Sequence, residues 1–329
     1  MSNLLIIKKK IKKNNKTINV SGDKSLSIRW VLFSSLANGI SKSRNLLMSE
    51  DVLAAIEAIR KLGIKVILKN KECIIYGKGI NGYQYKKGLT IDAKNSGTLA
   101  RLISGFLVNS NNQIKIVGDK SLSNRDFKRI ADPLSRFGVN FKLKKNKNLP
   151  LIIQGQSKLK PIKYLENKGS AQCKSAVIFA GMRADGTTTI KAKKSRNHTE
   201  LLCKYLKLPV SIKNNKNYDF IKVNKVKKIK SLNYKIPSDI SSSAFFIVLT
   251  ALSKNSKLII KNVNVNPSRI GIITILKKMG VKINLQNIKN YKGEKNADIK
   301  IISTKNLKSI NCPIRLNSDA IDEFLIIFL

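Results

Sequence analysis

Two octets in this chain are nearly the same. Residues 22–29 read GDKSLSIR and residues 118–125 read GDKSLSNR, identical at seven of eight positions and 96 residues apart. A glycine turn followed by lysine, hydroxyls and arginine at the start of a helix makes an anion site. Free backbone N–H groups and the helix dipole favour negative charge there, and a guanidinium can grip a phosphate through two hydrogen bonds. Lys24, Ser25 and Arg29 are the candidates in the first copy, and Arg125 in the second. A capped helix with solvated basic residues would explain Ser25 alone, but neither the cluster nor its repetition.

Other helix starts have the same character. Asn95, Ser96, Gly97 and Thr98 open an apolar helix, and Gly97 would let a ligand approach the backbone closely. Taken singly, that stretch reads as a plain N-cap. Ser170, Ala171 and Gln172 open a helix that runs on from Lys174, and the run from Ser195 to His198 opens the next surface helix. Together these polar starts point to a small polyanion. There is no GxxxxGK[ST], and no GxGxxG opens a helix, so nucleotide cofactors are disfavoured. His198 is the single histidine and has no evident acid partner, which fits a structural or substrate-contacting role better than a catalytic triad. Asp322 and Glu323 enter an apolar helix late in the chain, where their charge complements the helix dipole.

The elements that must position these residues repeat along the chain. Amphipathic helices stop at Gly63, Gly138 and Gly280, each followed by an alternating strand, and the glycines suit the left-handed residue that ends a helix. A fourth copy, residues 198–212, has Pro209 near its stop instead. The spacing is 75 residues from Gly63 to Gly138 and 142, or two units, from Gly138 to Gly280. A more apolar helix precedes each copy, at residues 24–37, 97–108, 174–183 and 241–252, and residues 321–329 would begin a fifth. Each unit is expected to run strand, buried helix, strand, surface helix, strand. The fifth breaks off inside its first helix, so the repeat predicts a C-terminally truncated chain with an exposed apolar end.

With 329 residues, 42% of them apolar, the chain has the length of about two domains and enough apolar residues for ordinary cores. Lys+Arg of 64 against Asp+Glu of 19 gives a net charge of +45, which on charge alone suggests a nucleic-acid partner. The lysines are spread along the chain, usually beside asparagine, and the aromatics do not interleave with them as a stacking platform requires. Solvated charge with weak, salt-sensitive binding to polyanions is the better reading. Four scattered cysteines without a CxxC pair argue against zinc or a disulfide framework and fit a reducing cytoplasm. The apolar run at residues 4–7 is followed at once by lysines, unlike a signal peptide, and the run at 324–329 is too short to span a bilayer.

Eight motifs then fall in a recognisable order: SGDKSLSIR (21–29), NSGTLAR (95–101), GDKSLSNR with DPL (118–134), GSAQCKSA (169–176), SRNHTE (195–200), SDISSSAFF (238–246), NPSRIGI (266–272) and IDE (321–323). Across essentially the whole chain, the sequence resembles the 5-enolpyruvylshikimate-3-phosphate synthase family. The resemblance implies an α/β protein of two domains built from repeated βαβαββ units in an inside-out α/β barrel arrangement. Residues 22–238 would be a complete three-unit domain, and residues 1–21 with 239–329 a second, incomplete one.

The implied reaction moves the enolpyruvyl group of phosphoenolpyruvate to the 5-hydroxyl of shikimate 3-phosphate, releasing phosphate, with no metal or organic cofactor. By position, Lys24, Ser25, Arg29, Ser170, Gln172, Ser195 and Asp322 would bind shikimate 3-phosphate. Lys24, Asn95, Gly97, Arg125 and Gln172 would bind phosphoenolpyruvate. Asp322 would serve as general base, and Lys24 would act on both substrates' anionic groups. Ala171 stands where relatives carry a second serine. Relatives continue beyond residue 329 with a proton-donating glutamate and further phosphoenolpyruvate-binding residues, so turnover by this chain is expected to be severely impaired. A cytoplasmic monomer, with no membrane and no specific nucleic-acid partner, completes the expectation. The UDP-N-acetylglucosamine enolpyruvyl transferase shares the fold and chemistry but usually has Lys-Asn where this chain has Lys24 and Ser25. Two rival readings are a non-catalytic remnant of the synthase and a basic nucleic-acid-binding protein.

Overall fold

The computed structural model describes residues 13–328, and the apolar run read above at residues 4–7 lies outside them. Contacts divide the chain into two compact units. One is Gly22–Ile236, and the other joins the described residues up to Ser21 to those from Pro237 onward.

The chain enters with β1 (Asn15–Ile18). A first module follows with α1 (Lys24–Ser35), β2 (Asn38–Arg44), α2 (Glu50–Lys61), β3 (Lys65–Lys69) and β4 (Glu72–Lys78). The second holds β5 (Leu89–Asp92), α3 (Gly97–Phe106), β6 (Ile114–Val117), α4 (Lys120–Ser123), α5 (Lys128–Ser135), β7 (Asn140–Lys144) and β8 (Asn148–Gln154). The third holds β9 (Lys163–Glu166), α6 (Ala171–Gly181), β10 (Thr188–Lys193), α7 (His198–Tyr205), β11 (Val210–Asn214) and β12 (Tyr218–Val223). After β13 (Tyr234–Lys235), a fourth module comprises α8 (Ile240–Leu252), β14 (Lys257–Asn264), α9 (Gly271–Lys278), β15 (Lys282–Tyr291) and β16 (Glu294–Ile302). A 3-10 turn at Ile314–Leu316 leads to α10 (Phe324–Ile327).

All four sheets share one topology, with the strand order first, second, fourth, third. The leading strand pairs parallel to the second and the remaining pairs are antiparallel. Leading strands are local in the second and third modules and come from a distance in the other two. β13 completes the first module's sheet inside Gly22–Ile236, and β1 completes the fourth module's sheet in the other unit. Each surface helix is followed by a two-strand hairpin, where the repeat alone suggests a single strand.

The expected helix stops are present. Gly63, Gly138 and Gly280 have φ of +84°, +97° and +98°, the left-handed conformation that closes a helix. At the fourth stop Lys207, at φ 54°, takes that conformation instead, and Pro209 lies beyond it.

Within Gly22–Ile236 the inner helices are α1, α3 and α6. α1 is enclosed on nearly every side, buried from Leu26 through Ser35. Phe33, Phe106 and Phe179, one from each inner helix, meet with ring centroids 6.1, 5.4 and 4.0 Å apart. α3 and α6 come so near that a Cβ on Gly105 would lie 2.3 Å from the Ala176 carbonyl oxygen, which requires glycine. The outer helix α2 buries one stripe, Val52, Ala55, Ile56 and Ile59, at the spacing of a half-exposed helix.

The fourth module has a core of its own: its sheet and α8 enclose a continuous apolar cluster that includes Val20, Ile240, Ile247, Leu258, Ile260 and Ile299. The apolar run at 241–252 predicts a buried helix, but Phe245, Phe246, Leu249 and Leu252 of α8 are exposed. Among the described residues α8 packs on β14, β16 and the short α10, without the neighbouring inner helices that enclose α1. Among the described residues the expected helix from 321 onward is present only as α10. Ile326 and Ile327 pack on the core, whereas Leu325 and Phe328 face outward, so the expected exposed apolar end is only partly so.

Candidate functional site

Asp23 caps α1, its Oδ1 accepting from the Leu26 N–H at 2.9 Å, and this sets Lys24 as the first helical residue. Lys24 projects outward, 3.7 Å from Asp51, in a half-exposed pair worth little to stability. Ser25 is half-buried beside it. One turn on, Arg29 is buried and its guanidinium is held from three directions. Nη1 donates to the Ser25 carbonyl at 3.0 Å, Nε to Thr199 Oγ1 at 2.8 Å and Nη2 to Ser175 Oγ at 3.5 Å. The two hydroxyls bond each other at 2.7 Å, so α1, α6 and α7 converge on this cation. These three acceptors are neutral, so they orient the guanidinium without cancelling its charge.

At the start of α3, Ser96 is the cap, accepting from the Leu99 N–H at 3.2 Å. Asn95 ties this start to the second octet. Its Oδ1 accepts from Arg125 Nη2 at 3.0 Å and its Nδ2 donates to Asp119 Oδ2 at 2.6 Å. A Cβ on Gly97 would come within 2.7 Å of Arg101 Nη1 and 3.2 Å of Arg125 Nη1. Two guanidinia therefore lie close over bare backbone at a helix N-terminus. Arg101 Nη1 also donates to Gln172 Oε1 at 2.8 Å, Gln172 Nε2 donates to Thr98 Oγ1 at 2.9 Å, and the Arg101 guanidinium rests 5.0 Å above the Phe127 ring. Burial holds the Arg101 pKa below its ordinary value, and nearby Arg129 and Arg125 push the same way. Positive charge accumulates here, and an incoming anion would relieve it.

The third module supplies two more starts. Ser170 caps α6, accepting from the Cys173 N–H at 3.3 Å, while its own N–H donates to Glu166 Oε2 at 2.9 Å. Ser195 Oγ is buried without a hydrogen-bond partner, an unsatisfied hydroxyl of the kind a ligand can complete. His198 is buried at the start of α7. Behind these residues Lys174 is fully buried, with Nζ 2.6 Å from Glu200 Oε1 and 3.3 Å from Asp219 Oδ2. Asp219 also pairs with Lys194 at 2.9 Å, so α6, α7 and β12 are locked in one alignment.

In the other unit Asp322 is exposed. Its neighbour Glu323 is buried and occupies the N-cap position of α10 without a side-chain cap bond, so the pair stands at a helix start as the sequence suggests. Glu323 Oε1 accepts from Ser241 Oγ at 2.5 Å, and Ser241 Oγ accepts from Arg269 Nη2 at 2.6 Å. One buried network thereby joins three motifs, SDISSSAFF, NPSRIGI and IDE.

Of the residues singled out in sequence, Gly22–Ile236 brings together Asn95, Gly97, Arg125 and Gln172, and separately Ser25 and Arg29. Ser170 and Ser195 stand at helix starts of their own. Sequence reasoning gives no site role to Arg101, Thr98, Ser175, Thr199 and Lys174, although all lie within the quoted motifs. Arg101 carries a usable signal: it lies four residues after Gly97, so both share a helix face.

Modules of βαβαββ type whose inner helices begin with fixed arginines, serines and a bare glycine define an α/β protein built to handle small anions. The family model described as EPSP synthase (3-phosphoshikimate 1-carboxyvinyltransferase) matches residues 8–329. A 3-phosphoshikimate 1-carboxyvinyltransferase from Endomicrobium trichonymphae is 40% identical over 325 residues, 97% of this chain and 74% of that protein. Its namesake from Caldicellulosiruptor bescii is 40% identical over 289 residues, 86% of this chain and 65% of that one. The solved EPSP synthase of Acinetobacter baumannii superposes with a TM-score of 0.87 at 35% identity, covering 96% of this chain and 71% of that chain. The chain belongs to the EPSP synthase family of transferases and has its α/β fold. The expected truncation is not borne out by these matches, which give only the shares of length just stated. Among the described residues no helix is long and apolar enough to cross a membrane.

Proposed function

We propose that this chain moves the enolpyruvyl group of phosphoenolpyruvate to the 5-hydroxyl of shikimate 3-phosphate, releasing phosphate, as a step towards aromatic amino acids. Gly97 is the observation that carries the reading: two guanidinia approach a side-chain-free helix start, a cradle for a small dianion. In this reading Asn95, Gly97 and Arg125 hold phosphoenolpyruvate, and Gln172, fixed by Arg101, is shared between the substrates. Lys24, Ser25, Arg29, Ser170 and Ser195 hold shikimate 3-phosphate, with the Ser195 hydroxyl finding its missing partner on the phosphate.

Arg29 and Arg125 stabilise phosphate and carboxylate as charge shifts towards the leaving group. Lys24 serves both anions, and Asp322 takes the proton of the attacking hydroxyl. The proposal includes a cytoplasmic monomer without a specific nucleic-acid partner, its +45 charge being largely solvated. The deciding experiment is calorimetric titration of the folded full chain with shikimate 3-phosphate at physiological salt. Saturable one-to-one binding is expected. A folded chain that binds no shikimate 3-phosphate, but binds polyanions with a steep salt dependence, would overturn the reading.

A further inference from the structure

The inner helices of Gly22–Ile236 also frame a cavity at their other end. About 750 Å³ in volume, it is lined by Tyr83, Tyr85, Phe106, Met182, Arg183 and Lys227, among others. Phe106 and Met182 mark the C-terminal ends of α3 and α6, whose N-termini carry the residues described above. α3 has 10 residues, so this cavity lies about 15 Å from the start of that helix.

Arg183 is the unusual member of the lining. It is only 8% exposed. Its Nη1 donates to Asn81 Oδ1 at 3.2 Å, and its buried Nε has no partner. Among the described residues no carboxylate pairs with it, and no Asp or Glu lines the cavity. Burial lowers its pKa to about 10, which leaves it charged at neutral pH. Tyr83 cannot supply the counter-charge, because burial pushes its hydroxyl up to about 12 and it is spent on Ser35 at 2.7 Å. The carbonyl ends of α3 and α6 offer only partial negative charge. Lys225, also in the lining, is already paired with Asp185 at 2.5 Å. A buried cation without an ionic partner, facing a cavity whose walls carry tyrosine rings and neutral amides together with Lys227, is an incomplete ion pair.

We propose that this cavity is a second anion site, separate from the substrate residues, that takes a small carboxylate with an apolar or aromatic body. The carboxylate would sit on the Arg183 guanidinium, with the body against Phe106, Met182 and Tyr85. A planar carboxylate matches the guanidinium fork through two parallel hydrogen bonds, and the Tyr85 ring gives its apolar body a face to lie on.

The test is calorimetric titration of the full chain with benzoate, with inorganic phosphate as the control, repeated in the presence of shikimate 3-phosphate. Expected is saturable one-to-one benzoate binding, stronger than phosphate binding and unaffected by shikimate 3-phosphate. Arg183→Met should weaken it about tenfold or more. Asn81→Asp, which supplies an internal carboxylate beside the guanidinium, should do the same in a protein at least as stable as the parent. Arg125→Ala should leave it unchanged. Absence of saturable binding, indifference to Asn81→Asp, or loss in Arg125→Ala would overturn the proposal. Asn81→Asp decides the matter even where Arg183→Met fails to fold. The readout also stands whether or not shikimate 3-phosphate binds, so this site and the proposed substrate site fail separately.

Discussion

At residues 22–29 the octet GDKSLSIR starts a helix of 12 residues, whereas at 118–125 GDKSLSNR gives a single turn of 4. Their opening chemistry is the same. Asp23 accepts from the Leu26 N–H at 2.9 Å and Asp119 from the Leu122 N–H at 2.7 Å, and both leucines are buried. The copies part at their one difference. Ile28 is fully buried and carries the helix into the core, while Asn124 is exposed and caps the turn. The arginine that closes each octet follows its helix. Arg29 is drawn inside and gripped by Ser175 and Thr199, whereas Arg125 stays exposed and reaches across to Asn95. The cap decides where a helix begins, and the next apolar residue decides whether it continues and where its arginine points.

The largest effect should come from making the first copy resemble the second. Ile28→Asn removes buried apolar surface and places an amide among fully buried neighbours, at a cost of about 4 kcal/mol. Asn124→Ile, at the exposed counterpart, should shift stability by no more than about 0.5 kcal/mol. Urea unfolding midpoints measure both, and comparable losses in the two variants would break the comparison. Next in size is the pair of arginines. Arg29→Ala should weaken shikimate 3-phosphate binding about 100-fold or more, since it removes several charge-assisted contacts at once. Arg125→Ala should leave that affinity within about threefold and weaken phosphoenolpyruvate instead. Calorimetry with each ligand separates these, and equal loss of shikimate 3-phosphate binding in both would show that the octets do the same work.

Much of the fold and the candidate site is legible in sequence, because the signals are local. The glycine stops, the apolar runs and the octets each lie within a turn or two of the feature they encode, so Gly63, Gly138, Gly280 and the starts of α1, α3 and α6 can be read directly. What escapes depends on partners distant in the chain. Arg29 meets Thr199 from 170 residues away, and Lys174 pairs with Asp219 from 45. β1 and β13 complete sheets whose other strands lie far along the chain, a pairing that no local pattern announces. The exposed face of α8 escapes for a related reason. Its sequence is as apolar as that of an inner helix, but burial depends on neighbours, and apolar composition cannot count them.

The smallest effect in the series concerns the caps themselves, and it distinguishes stability from binding. Asp23→Ala should cost about 1–2 kcal/mol, because a long inner helix loses its cap at a buried position. Asp119→Ala should cost about 0.5–1 kcal/mol, since only one short turn depends on it. Asp119 has a second task, because its other oxygen holds Asn95 at 2.6 Å, and Asn95 in turn holds Arg125. Asp119→Ala should therefore weaken phosphoenolpyruvate binding out of proportion to its effect on folding, while Asp119→Asn retains most of the cap. Thermal melts and phosphoenolpyruvate titrations on the same variants make the test. If Asp119→Ala lowers the melting temperature as much as Asp23→Ala and leaves phosphoenolpyruvate affinity intact, the second octet is a structural copy of the first rather than a mount for Arg125.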